Sequence, residues 1–580
     1  MAATELSPGD AFWRPARMRR RWVRNAACTA VLLAMILFVL YPLALLLYGS
    51  FLNDSGNGVH HELGLDNWIT AWAQPGMVQA IVNTIRRVIL TEVFALPAAV
   101  LIAWLVARTD IPGKKLIDNF FWIALFLPSL PVVLGWIMLL DPGDGLVNKW
   151  AMARLGLAEP PLDIYSFWGI VFVHLATRSI AAKYIFLAPA FRNFDSALEE
   201  ASTIVGSTPI GTIRRIVIPI LLPAILITMA ISLTHSLESF EIELVLGPPT
   251  NFYVFSTKMY VLMQGNPPLF GAATVLGLSV LVAILPLIVW QQRLISTRSF
   301  VTVTSHFQRR PLRLAALRWP LFAAIAALGF VITVIPTACL LAGTFMNLFG
   351  HFDLAAVWTT DHWRKVLTDP VLINATDNTL IIAGSAAAIG AAWFSLVAYI
   401  SVRTAWRLRK ALDFMTWLPA SLPGIILGLG LLWMFLTVPL FKPLYGTLFV
   451  LVVAVLINAV TTGVQLIKSN MIQVGYELEE ASFVAGGGWL YTFRRIVLPI
   501  LGPVLISVAL LTFNSAARNI ANIVMIVTGD NRPLSLLQID YMADGQYEPA
   551  AIVGVIIVVL TLGFAFVARL ISRKVGMVTA

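Results

Sequence analysis

Two short segments, far apart in the chain, carry the same residue types in the same order. Glu199, Glu200, Ala201, Ser202, Gly206, Arg214, Arg215 and Pro219 recur as Glu479, Glu480, Ala481, Ser482, Gly486, Arg494, Arg495 and Pro499. The stretches 198–225 and 478–505 align without a gap at an offset of 280 and are identical at 15 of 28 positions. Acids, a glycine, an arginine pair and a proline in this order make no nucleophile and no metal cage. They make a short polar helix, a turn and the foot of a second helix. Acids in a first turn face the positive end of the helix dipole, and a glycine ends or bends the helix. Arginines hold their charge at a water interface while their stems cover apolar surface. Proline is tolerated in a first turn and kinks the helix further in. The expected chemistry is recognition: a short amphipathic helix that docks in a groove of a soluble partner and passes on rigid-body motion. A bare structural loop, its acids only capping a helix, is the alternative for one copy; two copies at matching positions favour docking.

Catalytic patterns are absent. No G-x-x-x-x-G-K-[ST] occurs, and Gly113-Lys114-Lys115 lacks the upstream glycine and the hydroxyl of a phosphate loop. There is no H-E-x-x-H, no G-x-S-x-G and no regular Cys/His cluster. The two cysteines, Cys28 and Cys339, sit inside apolar runs. No catalytic residue, metal or cofactor is expected in this chain, and any ATP is expected on another.

The elements that must position these segments are membrane helices. Of the 580 residues, 59% are apolar and 12% charged, and the mean hydropathy is +0.84. Soluble domains carry roughly 25% charged residues, so an ordinary soluble enzyme is excluded, as is a disordered chain. A bilayer crossing needs about 20 apolar residues. Twelve candidates lie near 26–49, 86–107, 117–140, 165–187, 216–236 and 269–291, then 320–342, 379–402, 412–437, 445–467, 496–516 and 549–570. The net charge of +10 would suggest nucleic acid in a soluble chain. Here most Lys and Arg fall in the N-terminal segment and in the loops after even-numbered helices, whereas 50–80 contains none. That bias predicts cytoplasmic N- and C-termini, a lipid-bilayer setting and no nucleic-acid partner. The expected organisation is an N-terminal segment 1–25, a first domain 26–291, a linker 292–318, a second domain 319–574 and a tail 575–580. Further repeats support the duplication: Gly49–Asn53 with Gly343–Asn347, Asn83-Thr84 with Asn378-Thr379, Arg108-Thr109 with Arg403-Thr404, and Leu130-Pro131 with Leu422-Pro423. Both polar segments follow the fourth helix of their half, so the halves have parallel topology.

The doubled segment resembles the "EAA" loop of permease subunits of binding-protein-dependent ABC importers, whose pattern is E-A-A, three residues, G, nine residues, I-x-L-P. Ser202 and Ser482 replace the third Ala, and Ile218 replaces the Leu in one copy. The resemblance implies an all-α polytopic protein of two homologous six-helix halves, working by alternating access. It further implies two cytoplasmic ATP-binding subunits under 199–215 and 479–495, a periplasmic solute-binding protein and an inner-membrane location. The fused halves look most like the ferric-iron permease branch, with thiamine, phosphonate and polyamine relatives nearby. Ser239–Gly247 is similar to that branch's F-E-x-P-L-L-L-G segment, with Glu243 in place of Pro. Phe300-Val301-Thr302-Val303-Thr304 looks like its linker, followed by Ser305-His306-Phe307 in place of G-K-G.

Charges within apolar runs are costly and often functional. His174 and Arg178 share a helix face and, with Glu241, are candidates for the wall of a translocation path. The plain alternatives are snorkelling of Arg178 and Lys183 to the interface, anchoring by Arg86, Arg87 and Glu92, and partner docking or packing for His235, Glu238, Glu241 and Glu243. A 6+6 ion-coupled carrier would need mid-membrane acids, for which Glu92 is the one candidate. His60-His61 reads as an exposed loop pair.

Overall fold

The computed structural model describes residues 25–52, 63–194, 199, 201–202, 204–296 and 312–574. The N-terminal segment before Asn25, the tail 575–580, most of the linker, His60-His61 and Glu200 lie outside the described residues. The described chain is helical, with only isolated β-bridges.

All twelve apolar runs are found in helices, though not all as single rods. The first half contains α1 (Asn25–Ser50), α2 (Met77–Arg108), α3 (Lys114–Phe126), α4 (Ser129–Leu140), α5 (Phe167–Arg192), α6 (Ile213–Leu237), α7 (Glu241–Leu246), α8 (Phe255–Gln264) and α9 (Phe270–Ser296). The second contains α10 (Ala315–Gly343), α11 (Pro370–Arg403), α12 (Arg409–Trp417), α13 (Gly424–Thr437), α14 (Leu448–Gln473), α15 (Glu477–Val484), α16 (Trp489–Ile500), α17 (Gly502–Ala517), α18 (Leu534–Ala543) and α19 (Tyr547–Lys574).

Eight described helices are long and apolar enough to cross a bilayer unbroken. The third run of each half is broken, which hydropathy does not register. α3 and α4 meet at 104°, because Leu127 and Pro128 are both extended. Proline lacks an N–H and drives the residue before it out of the helical region. Leu422 and Pro423 repeat that geometry between α12 and α13, so their counterparts in the first half are Leu127 and Pro128 and not Leu130 and Pro131, which lie inside α4. Such backbone is tolerated at membrane depth only where protein or a polar cavity surrounds it. The fifth runs differ between halves. Both enter through a π-turn, Ile213–Val217 and Phe493–Val497. α6 then continues through Pro223, whereas α16 and α17 are bent by 78°. The bend falls where Gly502 stands in place of Leu222.

The halves are interlocked. α1 packs on α13, and α10 packs on α3 and α4. α9 also touches α13, and α19 touches α3 and α4. One buried cluster accordingly joins α1, α8 and α9 to the central helices of the second half. Another joins the central helices of the first half to α10 and α19. Lipid tails are as apolar as leucine, so such contacts depend on close packing at small residues. A Cβ on Gly135 would stand 2.0 Å from the Pro336 carbonyl oxygen, and one on Gly430 would stand 3.0 Å from Pro42 Cβ. At the loop ends, Lys149 meets Asp353 of the other half at 2.8 Å. Its hydrogen bond holds the exposed Asp353 carboxyl below its ordinary range.

The internal repeats mark staples within each half. Thr84 Oγ1 accepts from the Phe255 N–H at 3.0 Å, and Thr379 Oγ1 from Leu534 at 2.8 Å. Asn83 donates to the Tyr253 carbonyl at 3.0 Å and Asn378 to that of Asp530 at 3.0 Å. These bonds fix α2 and α11 to the segments leading into α8 and α18.

Candidate functional site: two levers and a charged interior

Each doubled segment forms a helix–turn–helix at the end of the bundle that also carries the ends of α2 and α11. α15 holds the second copy; in the first, residues 199, 201, 202 and 204 are helical. The turns pass through Gly206 at φ +83° and Gly486 at φ +86°, a region that glycine enters without steric cost. Ser202 and Thr212 share a buried hydroxyl hydrogen bond at 2.9 Å, and Ser482 and Thr492 one at 2.8 Å. That bond gives the serines a role that alanine could not fill: they tie the short helix to the one that follows. Both Ser/Thr pairs are among the positions identical between the repeats, but their contact across the turn is a tertiary fact.

The two acids at the head of the second lever point in different directions. Glu480 and Ala481 are exposed, whereas Glu479 is buried. Glu479 Oε1 lies 3.0 Å from Arg403 Nε. Its counterpart Glu199 is paired with Arg108. The expectation that these first acids serve the helix dipole is therefore incomplete, since each meets an arginine from an earlier span. Arg214, Arg215, Arg494, Arg495, Pro219 and Pro499 are exposed. The tips are apolar and exposed as well: Ile204 at 84%, Val205 at 85% and Val484 at 90%.

The interior of the first half holds a charged network that the sequence did not foretell. Arg87 Nε lies 2.9 Å from Glu243 Oε1, and both side chains are fully buried. Arg87 also donates to the Ser236 hydroxyl at 2.7 Å and to its carbonyl at 2.6 Å. His174 Nε2 sits 2.9 Å from the same Glu243 oxygen. Lys183 pairs with Glu92 at 2.9 Å, and Ser232 donates to Glu92. Arg87, Glu92 and Lys183 are thus not interface anchors or snorkelling groups; they are partnered inside the bundle. Arg86 does remain exposed, 5.1 Å from the centre of the Phe167 ring. Glu243, which departs from the resembled segment, belongs with Arg87 and His174. At the matching positions of the second half, Arg87 and Glu243 become Ile382 and Ile523, both buried.

Of the three path candidates, the structure separates one from two. His174 is buried and engaged by Glu243. Arg178 is exposed and makes no hydrogen bond or ion pair among the described residues. It stands within electrostatic reach of Glu238 and Glu241. Glu241 accepts from Ser129, the first residue of α4. From the second half, Arg518 donates to the Leu125 carbonyl at 3.3 Å and lies within electrostatic reach of Arg178 and Glu241. The broken third span of the first half is therefore flanked by charges from both halves. Arg518, which the sequence reading passed over, occupies the position matching Glu238. Among the described residues, no three His, Cys, Asp or Glu side chains converge as metal ligands.

The profile of the family described as "Binding-protein-dependent transport system inner membrane component" matches residues 95–299 and 391–577. The chain is similar to the ferric transport system permease protein FbpB of Actinobacillus pleuropneumoniae. The two are 26% identical over 550 residues, covering 92% of this chain and 76% of that one. The putative ferric transport system permease protein FbpB 1 of Haemophilus influenzae is 26% identical over 519 residues, covering 87% and 78%. The molybdenum transport system permease protein ModB of Escherichia coli is 27% identical over 233 residues, covering 38% of this chain and 96% of that one. Among solved structures, a bacterial ABC transporter involved in the import of alginate aligns with 50% of this chain and 100% of its own, at a TM-score of 0.42 and 21% identity.

Proposed function

We propose that this chain, which belongs to the binding-protein-dependent transport system inner membrane component family, passes ferric iron through the bilayer with its two levers seated on ATP-hydrolysing subunits. It is an ABC importer permease, a transport subunit and not itself an enzyme. The single observation behind the lever assignment is the duplicated helix–turn–helix, closed by the same Ser–Thr bond in each half and tipped with exposed apolar residues. An exposed apolar patch rimmed by charge fits a protein partner. The cargo follows from two relatives named as ferric transport permeases, each aligned over more than four-fifths of this chain.

In this reading the levers, both termini and the ATPase subunits lie in the cytoplasm, and a periplasmic solute-binding protein delivers cargo to the opposite face. Closure of the ATPases draws the levers together and rocks the halves, exchanging inward- and outward-open states. The cargo passes the α3–α4 break, where Arg178, Glu241 and Arg518 stand. The chain needs no resident metal or cofactor.

The test is uptake of radiolabelled ferric iron by vesicles carrying the intact importer, with the double variant Glu200→Arg, Glu480→Arg as comparison. The expected result is iron uptake by the unaltered importer, and ATP hydrolysis uncoupled from uptake or ATPase subunits released in the variant. Uptake of molybdate or 2-aminoethylphosphonate instead would keep the permease role and replace the cargo. Unchanged iron uptake in the double variant would remove the levers from the mechanism.

A further inference from the structure

We propose that Arg108 and Arg403 are the pins that fasten each lever to its own half, so that a displacement of the lever moves two membrane spans as one body. The inference rests on the lever reading above and adds which residues transmit the motion. Arg403 ends α11. Its Nη2 donates to the Met471 carbonyl at 2.8 Å and the Val474 carbonyl at 2.5 Å, at the end of α14. Its Nε faces Glu479 at the head of α15 at 3.0 Å. One guanidinium thus joins the second span, the fourth span and the lever. Tyr399, one turn earlier on α11, donates its hydroxyl to Glu479 Oε2 at 3.0 Å, and the Tyr476 ring lies 4.0 Å from the guanidinium.

The first half repeats the arrangement at equivalent positions. Arg108 ends α2, donates to the Phe194 carbonyl at 3.0 Å and pairs with Glu199 through Nε at 3.1 Å. Phe194 and Val474 are separated by 280 positions, as are Glu199 and Glu479. The arginine side chains are 4% and 1% exposed. Arginine suits this task because its planar fork holds several acceptors in fixed directions, which a lysine cannot do. Two consequences follow. In the second lever the first acid, Glu479, faces inward as the tie, and the second, Glu480, is exposed and left for the partner. The arginines of both ties are buried, so their loss should spare ATPase binding.

The experiment uses the intact importer purified with its ATPase subunits and reconstituted into vesicles. Retained ATPase subunit, ATP hydrolysis and cargo uptake are measured on the same preparation. For Arg403→Gln and Arg108→Gln, the expected result is retained subunit and continued hydrolysis with cargo moved per ATP lowered about tenfold, within the usual range for coupling between sites. Tyr399→Phe, which removes one hydroxyl and leaves the ion pair, should lower the ratio by a smaller step. The exchanged pair Arg403→Glu, Glu479→Arg should recover part of it. Uptake and hydrolysis falling in strict proportion, or a ratio unchanged in both Tyr399→Phe and Arg403→Gln, would overturn the proposal. Failure of the unaltered chain to retain an ATPase subunit would instead strike the lever reading itself.

Discussion

The interior charges of the first half are held by specific partners. Taking ions out of water is costly, and a buried pair is sustained only when its remaining hydrogen bonds are filled. Arg87, Glu243, His174, Ser236 and Ser239 meet that condition together. Glu243→Gln should therefore destabilise the first half by about 3–5 kcal/mol, the usual cost of leaving a buried charge unpaired. Thermal unfolding of the detergent-purified importer would read it, and Ile523→Val, at the matching position of the second half, should cost only about 0.5–1.5 kcal/mol. Little of this was legible beforehand. Arg87 and Glu243 are 156 positions apart, and no local periodicity links them. The visible clue was that Glu243 stands where the resembled segment has proline. The levers were easier to read, because each is a contiguous run whose glycine, acids and arginines act on near neighbours.

Among the elements, glycines at two kinds of position make opposite demands. Gly486 has φ +86° and open space around it. Gly486→Ala should therefore cost only the conformational penalty, about 1–2 kcal/mol, and be read as weaker ATPase retention with the membrane core intact. Gly135 has an ordinary backbone, but a Cβ there would stand 2.0 Å from the Pro336 carbonyl oxygen. Gly135→Ala should push α4 and α10 apart and cost about 1–3 kcal/mol as overpacking, visible as a lower unfolding temperature without change at the levers. Hydropathy located every apolar run because each is long and its few charges are outweighed by apolar residues. It could not show that the third runs are broken, since Leu127-Pro128 and Leu422-Pro423 interrupt the backbone without interrupting the apolar character. Nor could it show the unequal fifth runs, continuous in α6 and bent in the second half at Gly502, which matches Leu222.

For the whole molecule, the duplication is exact enough in sequence to reveal two halves, yet the halves do not fold as two separate bodies. The repeats fixed topology and register; they carried no sign that outer helices are exchanged, because that exchange depends on which face of α1 and α10 meets which third span. The exchange leads to a measurable expectation. Residues 1–300 produced alone should be degraded or aggregate, since α3 and α4 lack α10 and α19, whereas production together with 301–580 should recover both fragments in one complex. Stable accumulation of the first fragment by itself, by membrane fractionation and immunoblotting, would contradict the interlocked arrangement.

The crossed outer helices also set a timetable for synthesis. Translation proceeds from the N-terminus, and domains ordinarily complete themselves in that order. Here α1 leaves the ribosome some 370 residues before α13, the surface that receives it, and the first half's own core waits for α10. The growing chain must hold unfinished surfaces in the bilayer until the second half arrives, so a prematurely ended product has no finished half to retain. A copy that ends before α10 leaves both α1 and the paired faces of α3 and α4 uncovered.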